Sequence, residues 1–336
     1  MSTVAEGPTE GLAAAGGRPE GMAAKEPVGE RRATVRHRME FWIFRTLSWS
    51  VVRLPERAAL VLGDVLGWIL GVVFRVRRVD TDRHLRIAFH DRDSAWRRRV
   101  ARGSYRHFAR EAVMTIRFSS MGKGEILRRT RVVGFEALRE ASAAGHGAIV
   151  ISGHLGNWEV AAAAMAARGV PMDVAAHLQN NPLFYRHMVG LRDRLGLTVI
   201  TKNEAFRKVP QALAAGRVVA LIADQNIKKR GVFVNFFGRP AATAKGPALF
   251  ALRTGAPVFL GVAVREPGHP SRYRVTIEPI PVVEGPPGAA AATDAVRRFT
   301  QQHVSRLEAH VRETPAQYFW QHRRWKTRPE PGSENG

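Results

Sequence analysis

Hydrophobic and polar residues alternate in regular blocks through the second half of the chain. Short apolar runs typical of buried strands lie at 148–152, 172–174, 198–200, 218–222, 258–264 and 273–280. Patterns typical of helices lie at 158–168, 183–195, 205–215 and 294–311. Strands that alternate with helices predict an α/β fold with a largely parallel sheet and flanking helices.

The first third of the chain is organised differently. Residues 1–35 are rich in Ala, Gly, Glu and Pro, which predicts a disordered tail, and they lack the apolar core of a secretory signal peptide. We expect a helical, basic, membrane-proximal region at 36–125 and an α/β domain at 126–330.

The longest apolar run, 58–74, decides how the helical region meets a membrane. It has 17 residues and contains Asp64, whereas a membrane span needs about 20 apolar residues. Arginines flank it on both sides, and aromatic residues occur at 41, 42, 44, 49 and 68. This pattern favours a helix that lies in the membrane interface, preceding the α/β domain. A core helix and a membrane span remain the alternatives.

The charge of the chain points to an anionic partner. Lys and Arg number 52 against 29 Asp and Glu, a net charge of +23. Such an excess suits nucleic acid or an anionic membrane. Residues 75–110 hold 12 Arg and 4 Asp, interleaved with aromatic residues, yet the chain lacks every named nucleic-acid-binding motif. We therefore expect an anionic membrane surface and no nucleic acid.

The strongest chemical motif lies in 152–159, between a predicted strand and a predicted helix. His154 and Glu159 stand five positions apart on this Gly-containing turn. A carboxylate that accepts one imidazole N–H leaves the other ring nitrogen free to remove a proton. We expect Glu159 to orient His154 as a general base, the alternative being a purely structural pair.

A second acidic residue is brought to the same place by the predicted topology. His154 follows the strand at 148–152, and Asp224, with Gln225, follows the strand at 218–222. Ligand sites in such sheets lie beyond the carboxyl ends of the strands. We therefore expect Asp224 to face the same crevice as His154, the alternative being a turn cap.

Several kinds of site are excluded or disfavoured by the sequence. The chain has no cysteine, which excludes disulfides, thiolate metal sites and cysteine nucleophiles. His146, His177 and His187 show no zinc-ligand spacing, so we expect no metal. A Gly-x-Ser-x-Gly elbow is missing, which favours direct transfer without a covalent enzyme intermediate.

Three ordered segments resemble one family. His-Leu-Gly-Asn-Trp-Glu at 154–159 resembles the His-x4-Asp/Glu box of the lysophospholipid acyltransferase superfamily, in the form seen in the late acyltransferases of lipid A biosynthesis. Further similar segments lie at 224–241 and 315–329. The resemblance covers about residues 38–330 and implies an acyltransferase-like α/β sandwich.

The resemblance implies an O-acyltransferase that uses no cofactor. Its donor would be an acyl thioester, with acyl carrier protein as the first candidate and acyl-CoA as the alternative. Its acceptor would be a hydroxyl of a membrane glycolipid, with a lipid A precursor as the first candidate, at the cytoplasmic face of the inner membrane. A phosphatidylinositol mannoside or an aminolipid is the alternative acceptor. A non-catalytic, basic membrane-binding protein is the alternative function.

The resemblance also suggests substrate-binding residues. The family carries a functional arginine in the helix after an Asn-Pro turn, and Arg192 fits it better than Arg194. Arg192 and Arg239 would hold phosphates of the acceptor. Backbone N–H groups of Gly156 and Asn157 would stabilise the oxyanion, since they lie at a helix start. The other predicted substrate-binding residues are Trp158, Asp224 and Gln225.

Overall fold

The computed structural model describes residues 32–176, 180–229, 231–282 and 289–329. The predicted disordered tail therefore lies almost wholly outside the described residues, and its disorder stays a prediction.

Helices make up the N-terminal part of the described chain. Their bounds are α1 Val35–Arg53, α2 Glu56–Trp68, α3 Arg78–Ala88, α4 Ser94–Phe118 and α5 Lys123–Arg129, with a π-helical turn at Ile69–Val73 after α2. Two of these helices pack unusually closely. A Cβ added to Gly67 of α2 would lie 2.5 Å from the Cα of Arg106 in α4. Glycine therefore allows the two backbones to approach, and α2 is fixed against α4.

The remaining elements form the α/β part. They are β1 Thr130–Val133, α6 Phe135–Ala143, β2 Ala148–Ser152, α7 Trp158–Ala167, β3 Met172–Ala176, α8 Pro182–Arg194, β4 Leu197–Thr201, α9 Ala205–Ala214, β5 Val218–Ile222, β6 Gly231–Phe236, β7 Arg239–Ala244, α10 Gly246–Thr254, β8 Val258–Arg265, β9 Tyr273–Ile280 and α11 Ala289–Glu313. A single 3₁₀ turn, Pro315–Gln317, follows α11.

Seven strands form one sheet in the order β1-β9-β8-β2-β5-β3-β4. All neighbours are parallel except β8 and β9, which are antiparallel. The six strands expected from the sequence are all present in this sheet, so the predicted α/β class with a mostly parallel sheet is confirmed. β1 at the edge and the separate hairpin of β6 and β7 were not expected from the sequence.

β2 is buried along its whole length, because helices cover both faces of the sheet. Ile149 and Ile151 face one hydrophobic cluster, which includes residues of α9, α10 and α11. Ala148 and Val150 face the other cluster, which includes residues of α5, α6 and α7. Successive side chains of a strand point to opposite faces, so a continuous apolar run is what a doubly covered strand requires.

The length and composition of its helices decide whether the predicted membrane-interface segment could cross a membrane. No single helix among the described residues is both long and apolar enough to cross a membrane. Two helical segments, Glu56–Val73 and Arg78–Ala88, are long and apolar enough when taken together, but they form a pair bent by 93°. The expected association of this region with a membrane stays a prediction.

Candidate active site

The register of two neighbouring strands brings His154 and Asp224 together. β2 and β5 are parallel, and Ser152 at the end of β2 pairs with Ile222 at the end of β5. His154 and Asp224 each follow two residues later, so both lie beyond the carboxyl ends of adjacent strands. The structure thus brings the two residues into contact, as the predicted topology implied.

Two hydrogen bonds join these residues. The backbone N–H of His154 donates to Asp224 Oδ2 at 2.8 Å, and Nδ1 of the imidazole lies 2.6 Å from Oδ1. An ionised carboxylate only accepts hydrogen bonds, so Nδ1 carries the proton and Nε2 keeps its lone pair. The second bond thus fixes the tautomer in which Nε2 of the neutral imidazole could accept a proton.

Asp224 is held in its ionised form. Burial by itself raises its pKa, but the neighbouring His154 and the hydrogen bonds from that residue outweigh burial, so the pKa is lowered to about 2. Only 4% of the Asp224 side chain is exposed, compared with 17% for His154. The carboxylate is therefore a permanent, buried acceptor for an imidazole that solvent reaches.

The free ring nitrogen has a neighbour of its own. Nε2 of the Gln225 carboxamide lies 3.1 Å from Nε2 of His154. Since the imidazole nitrogen has a lone pair, the amide donates to it. An acceptor hydroxyl would have to take the place of this amide.

Glu159 does not orient His154, and this corrects the expectation from the sequence. Its carboxylate accepts two bonds from Arg192 of α8, from Nε at 3.2 Å and from Nη2 at 2.5 Å. Asp224 already occupies the Nδ1 side of His154. Glu159 lies one residue into α7, where its side chain meets α8. Arg192, expected to hold a phosphate, is engaged in this bidentate pair.

The expected oxyanion donors are also occupied. The backbone N–H of Gly156 donates to the Gln317 carbonyl at 2.9 Å, and that of Asn157 donates to the Ala263 carbonyl at 2.8 Å. These N–H groups hold the turn in place and cannot also face a reacting carbonyl. Both assignments as oxyanion donors are corrected.

Gly156 is required by the close approach of a neighbouring strand. Its φ is +64°, and an added Cβ would lie 1.8 Å from the Ala263 carbonyl oxygen. Asn157 then caps α7, since its Oδ1 accepts the N–H of Val160 at 3.1 Å. The turn is thus anchored to β8 on one side and to α7 on the other.

Glu111 of α4 supports this turn, and it was not expected from the sequence. Its buried carboxylate accepts bonds from Asn157 Nδ2 at 2.8 Å, from the Tyr273 hydroxyl at 2.8 Å and from Arg265 Nε at 3.0 Å. Burial raises the pKa of Glu111, but its cationic and hydrogen-bonding neighbours outweigh burial and lower it. Glu111 is a positioning residue.

The segment after α11 covers the other side of the turn. The N–H of Phe319 donates to the His154 carbonyl at 3.0 Å, and a bridge joins Leu155 to Tyr318. The Phe319 ring stacks on Phe108 of α4, with centroids 4.5 Å apart. This segment matched one of the three family-like stretches, but no role was expected for its individual residues from the sequence.

An apolar cavity of 250 Å³ opens beside the turn. Trp158, whose ring centroid is 4.6 Å from that of His154, lies in its wall. Its other large apolar residues, contributed by α1, α4 and α8, include Phe44, Phe108, Phe184, Met188 and Leu191. A larger cleft of 810 Å³ lies between the β6–β7 hairpin and α11, and its lining includes none of His154, Glu159 and Asp224.

Comparison with known proteins identifies the family of the chain. A family model described as bacterial lipid A biosynthesis acyltransferase matches residues 29–327, most of the chain. The chain belongs to this family.

Two groups of relatives accompany the family match. The phosphatidylinositol mannoside acyltransferase of Mycolicibacterium smegmatis is 30% identical over 48% of this chain and 53% of its own length. The lipid A biosynthesis palmitoleoyltransferase and lauroyltransferase of Escherichia coli (strain K12) are each 25% identical over 86% of this chain and over 91% and 92% of their own lengths. The match thus spans about half the length of the mycobacterial relative.

Not all residues expected from the resemblance to this acyltransferase family converge. Arg239 lies exposed at the start of β7, beside the turn of the hairpin. Among the contacts of the described residues, none joins it to His154, Asp224 or Glu159. Arg194 is the last residue of α8, two positions after Arg192, and it is exposed. Of these three arginines, Arg192 is the one whose described contacts include a residue of the 154–159 turn, namely Glu159.

Proposed function

We propose that the protein transfers a fatty acyl chain from a thioester, most readily acyl carrier protein, to a hydroxyl of a membrane glycolipid. The observation that carries this proposal is the 2.6 Å contact between His154 Nδ1 and Asp224 Oδ1 at the carboxyl edge of the sheet. Family membership supports the reaction class, since the relatives are acyltransferases by name.

In this mechanism, the acceptor hydroxyl displaces the Gln225 amide and hydrogen-bonds to Nε2 of His154. Nε2 takes the proton as the hydroxyl oxygen attacks the thioester carbonyl carbon. The C–S bond then breaks, the proton passes from Nε2 to the sulfur, and the products are an ester and a thiol. Asp224 stabilises the imidazolium that forms between these steps.

The oxyanion needs a donor other than the turn backbone. Gln225 is the side-chain amide beside Nε2, at 3.1 Å, and a hydroxyl that displaces it leaves its N–H groups available. We assign Gln225 to the carbonyl oxygen of the donor, where a single fixed donor contributes on the order of 10²–10³ in turnover.

The apolar cavity fits the acyl chain. Its wall includes Trp158 beside the imidazole and extends to Met188 and Leu191 of α8. The Glu159–Arg192 pair fixes α7 against α8, which form two sides of this cavity. The pair thereby maintains the shape of the chain-binding space instead of taking part in proton transfer.

We place the protein at the cytoplasmic face of the inner membrane, bound peripherally or monotopically. α1 exposes large apolar side chains at Trp42, Ile43, Leu47 and Trp49, each about 60% exposed. Exposed apolar groups of this size indicate an interaction surface. The arginines around them suit phosphate headgroups, and the anionic membrane is thus a proposed partner.

For the acceptor, the lipid A precursor has the broader support, because the lipid A acyltransferases match over 86% of this chain. A phosphatidylinositol mannoside is the second candidate. The mycobacterial relatives favour it with higher identity, 30% to 36%, over a shorter match.

The test is an assay with the purified full-length protein, acyl carrier proteins of several chain lengths, acyl-CoA, and both acceptors in separate reactions. We expect acyl transfer to one acceptor, lost in His154→Ala and retained in His146→Ala, which changes an exposed histidine. Transfer to neither acceptor from either donor, or full activity of His154→Ala, would refute the proposal.

A further inference from the structure

A second concave surface lies beside the apolar cavity and has a different chemistry. This basic pocket has a volume of 630 Å³ and is formed by the C-terminal half of α1, the end of α4 and the end of α8. Arg45, Arg53 and Arg194 line it, together with His187 and Ser48. It shares Ile116 and Leu191 with the apolar cavity, so the two spaces adjoin.

The positive charges of this pocket are not neutralised by acidic residues of the protein. No acidic side chain is among its described lining residues, and none of the ion pairs found between described residues includes Arg45, Arg53 or Arg194. Elsewhere in the described chain, arginines form many carboxylate pairs, such as Arg106 with Asp64 and Arg129 with Glu56. The pocket therefore concentrates unpaired positive charge.

Two arginines of different helices act on the same ring. Burial lowers the pKa of His187, and the charges of Arg45 on α1 and Arg194 on α8 lower it further. All three side chains line the basic pocket, so cationic groups from two helices face one space, which favours an anion there.

A buried polar atom also lacks a partner in this pocket. Oγ of Ser48 is buried and forms no hydrogen bond with any described residue. A buried hydroxyl without a partner costs free energy, and a bound acceptor atom would remove that cost. This atom supports a ligand independently of the charges.

The position of the pocket identifies the kind of anion. Trp49 lines it, and the exposed apolar side chains Trp42, Ile43 and Leu47 lie on the same helix. Apolar side chains in the acyl region of a bilayer would place the neighbouring arginines at the level of the headgroups. Guanidinium groups form strong, directional hydrogen bonds with phosphate.

We propose that the basic pocket binds the phosphate of an anionic membrane lipid, held between Arg45 and Arg194 with Ser48 as an additional donor. The proposal rests on the proposed membrane association for its choice of lipid over soluble phosphate. It does not depend on catalysis by His154.

The experiment measures binding without a bilayer, so that the general attraction of basic proteins to anionic surfaces does not contribute. Full-length protein in a neutral detergent is titrated with monomeric dihexanoylphosphatidylglycerol by calorimetry. The test variant is Arg45→Gln/Arg194→Gln. The matched control is Arg38→Gln/Arg57→Gln, which removes two exposed charges of the same helical region outside the pocket.

We expect the test variant to bind about tenfold more weakly or worse, and the control to bind like the unchanged protein. Ser48→Ala should weaken binding by a smaller factor. Equal affinities of the test variant and the control would overturn the proposal. Inorganic phosphate that binds as tightly as the short-chain lipid would overturn the lipid as the ligand and indicate a soluble phosphate instead.

No acyl transfer is measured in this titration, so its outcome is separate from that of the proposed function. His154→Ala should bind the probe with unchanged affinity. A protein inactive on both acceptors that still shows the difference between test variant and control would keep the phosphate site and lose only the assigned reaction.

Discussion

The two ends of the turn from His154 to Glu159 each carry a side chain that is hydrogen-bonded in a carboxylate pair, and the pairs differ in what holds them. At one end, Asp224 is 4% exposed and bonds both the ring and the backbone of His154. At the other end, Glu159 and Arg192 are 13% and 18% exposed and join two helices. The difference teaches that a histidine and a carboxylate in one short motif need not be partners.

Strand register explains the first pair and helix geometry explains the second. Side chains two residues beyond paired strand ends lie next to each other, although 70 residues separate His154 from Asp224 in the chain. Glu159 is close in sequence to His154, but it starts a helix whose side chains turn towards α8. Chemistry is therefore assigned to the first pair and the shape of the cavity to the second.

The largest expected effect comes from removing the charge of Asp224. Asp224→Asn keeps the size of the side chain but no longer favours the Nδ1–H tautomer, so kcat should fall by about 10²–10⁴ with KM little changed. Steady-state kinetics with the preferred acceptor measures this. Glu159→Gln is the matched control. A greater loss of kcat in Glu159→Gln than in Asp224→Asn would reverse the two assignments.

A change of Glu111, which contacts Asn157 in the turn, tests whether the stability of the protein and the function of the turn depend on the same carboxylate. Glu111→Gln leaves the buried Arg265 without its carboxylate, which should cost about 3–5 kcal/mol in the free energy of unfolding. Chemical denaturation measures it. Because Asn157 also loses an ionic acceptor, kcat should fall in the folded protein.

Tyr273→Phe is the milder comparison for this change, since it removes one hydrogen bond to Glu111 and keeps the ion pair with Arg265. It should cost about 1 kcal/mol. Equal stabilities of Glu111→Gln and the unchanged protein would contradict the role of Glu111 as a support.

Low pH should remove the stability that Asp224 contributes, and a change of Glu159 should not alter this loss. The pKa of Asp224 is lowered from 3.8 to about 2, so the stability it contributes is complete above its unfolded pKa and is lost as the pH falls through the folded value. Between pH 5 and pH 2 this amounts to about 2 kcal/mol.

Denaturation at several pH values provides the measurement. Asp224→Asn should lack this part of the acid sensitivity, whereas Glu159→Gln should retain it. An unchanged slope in Asp224→Asn would show that the acid sensitivity of the stability comes from groups other than Asp224.

The smallest expected effect concerns the pair between α7 and α8. Glu159→Gln and Arg192→Gln should each reduce kcat/KM by about tenfold, through the shape of the cavity. A double-mutant cycle should show a coupling of about 1.4 kcal/mol, the size of either single effect, since removal of either partner already breaks the pair. Additive effects of the two changes would mean that Glu159 and Arg192 act separately, as the sequence had suggested.

The sequence predicted the sheet well, because its strands are continuous apolar runs between glycines and helical patterns. The runs at 148–152 and 218–222 match β2 and β5 at both ends. β1 was missed, since Thr130–Val133 is short and half-exposed at an edge. The β6–β7 hairpin was missed because its turn uses Phe237 at φ 52°, a conformation that a non-glycine residue rarely adopts.

The site was predicted in part for similar reasons. The predicted topology alone placed Asp224 beside His154, because the carboxyl ends of neighbouring parallel strands lie at the same edge of the sheet. The spacing of Glu159 could not reveal which side of α7 it faces. Glu111 was missed because α4 contains many arginines, and no pattern in the sequence shows that the carboxylate of Glu111 is buried.

The backbone contacts of residues 317–319 have a consequence for the order of synthesis. The turn at Gly156 is translated early, yet it bonds to Gln317, and His154 bonds to Phe319. At about 5–20 residues per second, roughly 10–30 s pass between the two segments on the ribosome. During that interval neither backbone hydrogen bond can form, so the turn at residues 154–156 is completed only after the C-terminal segment has been synthesised.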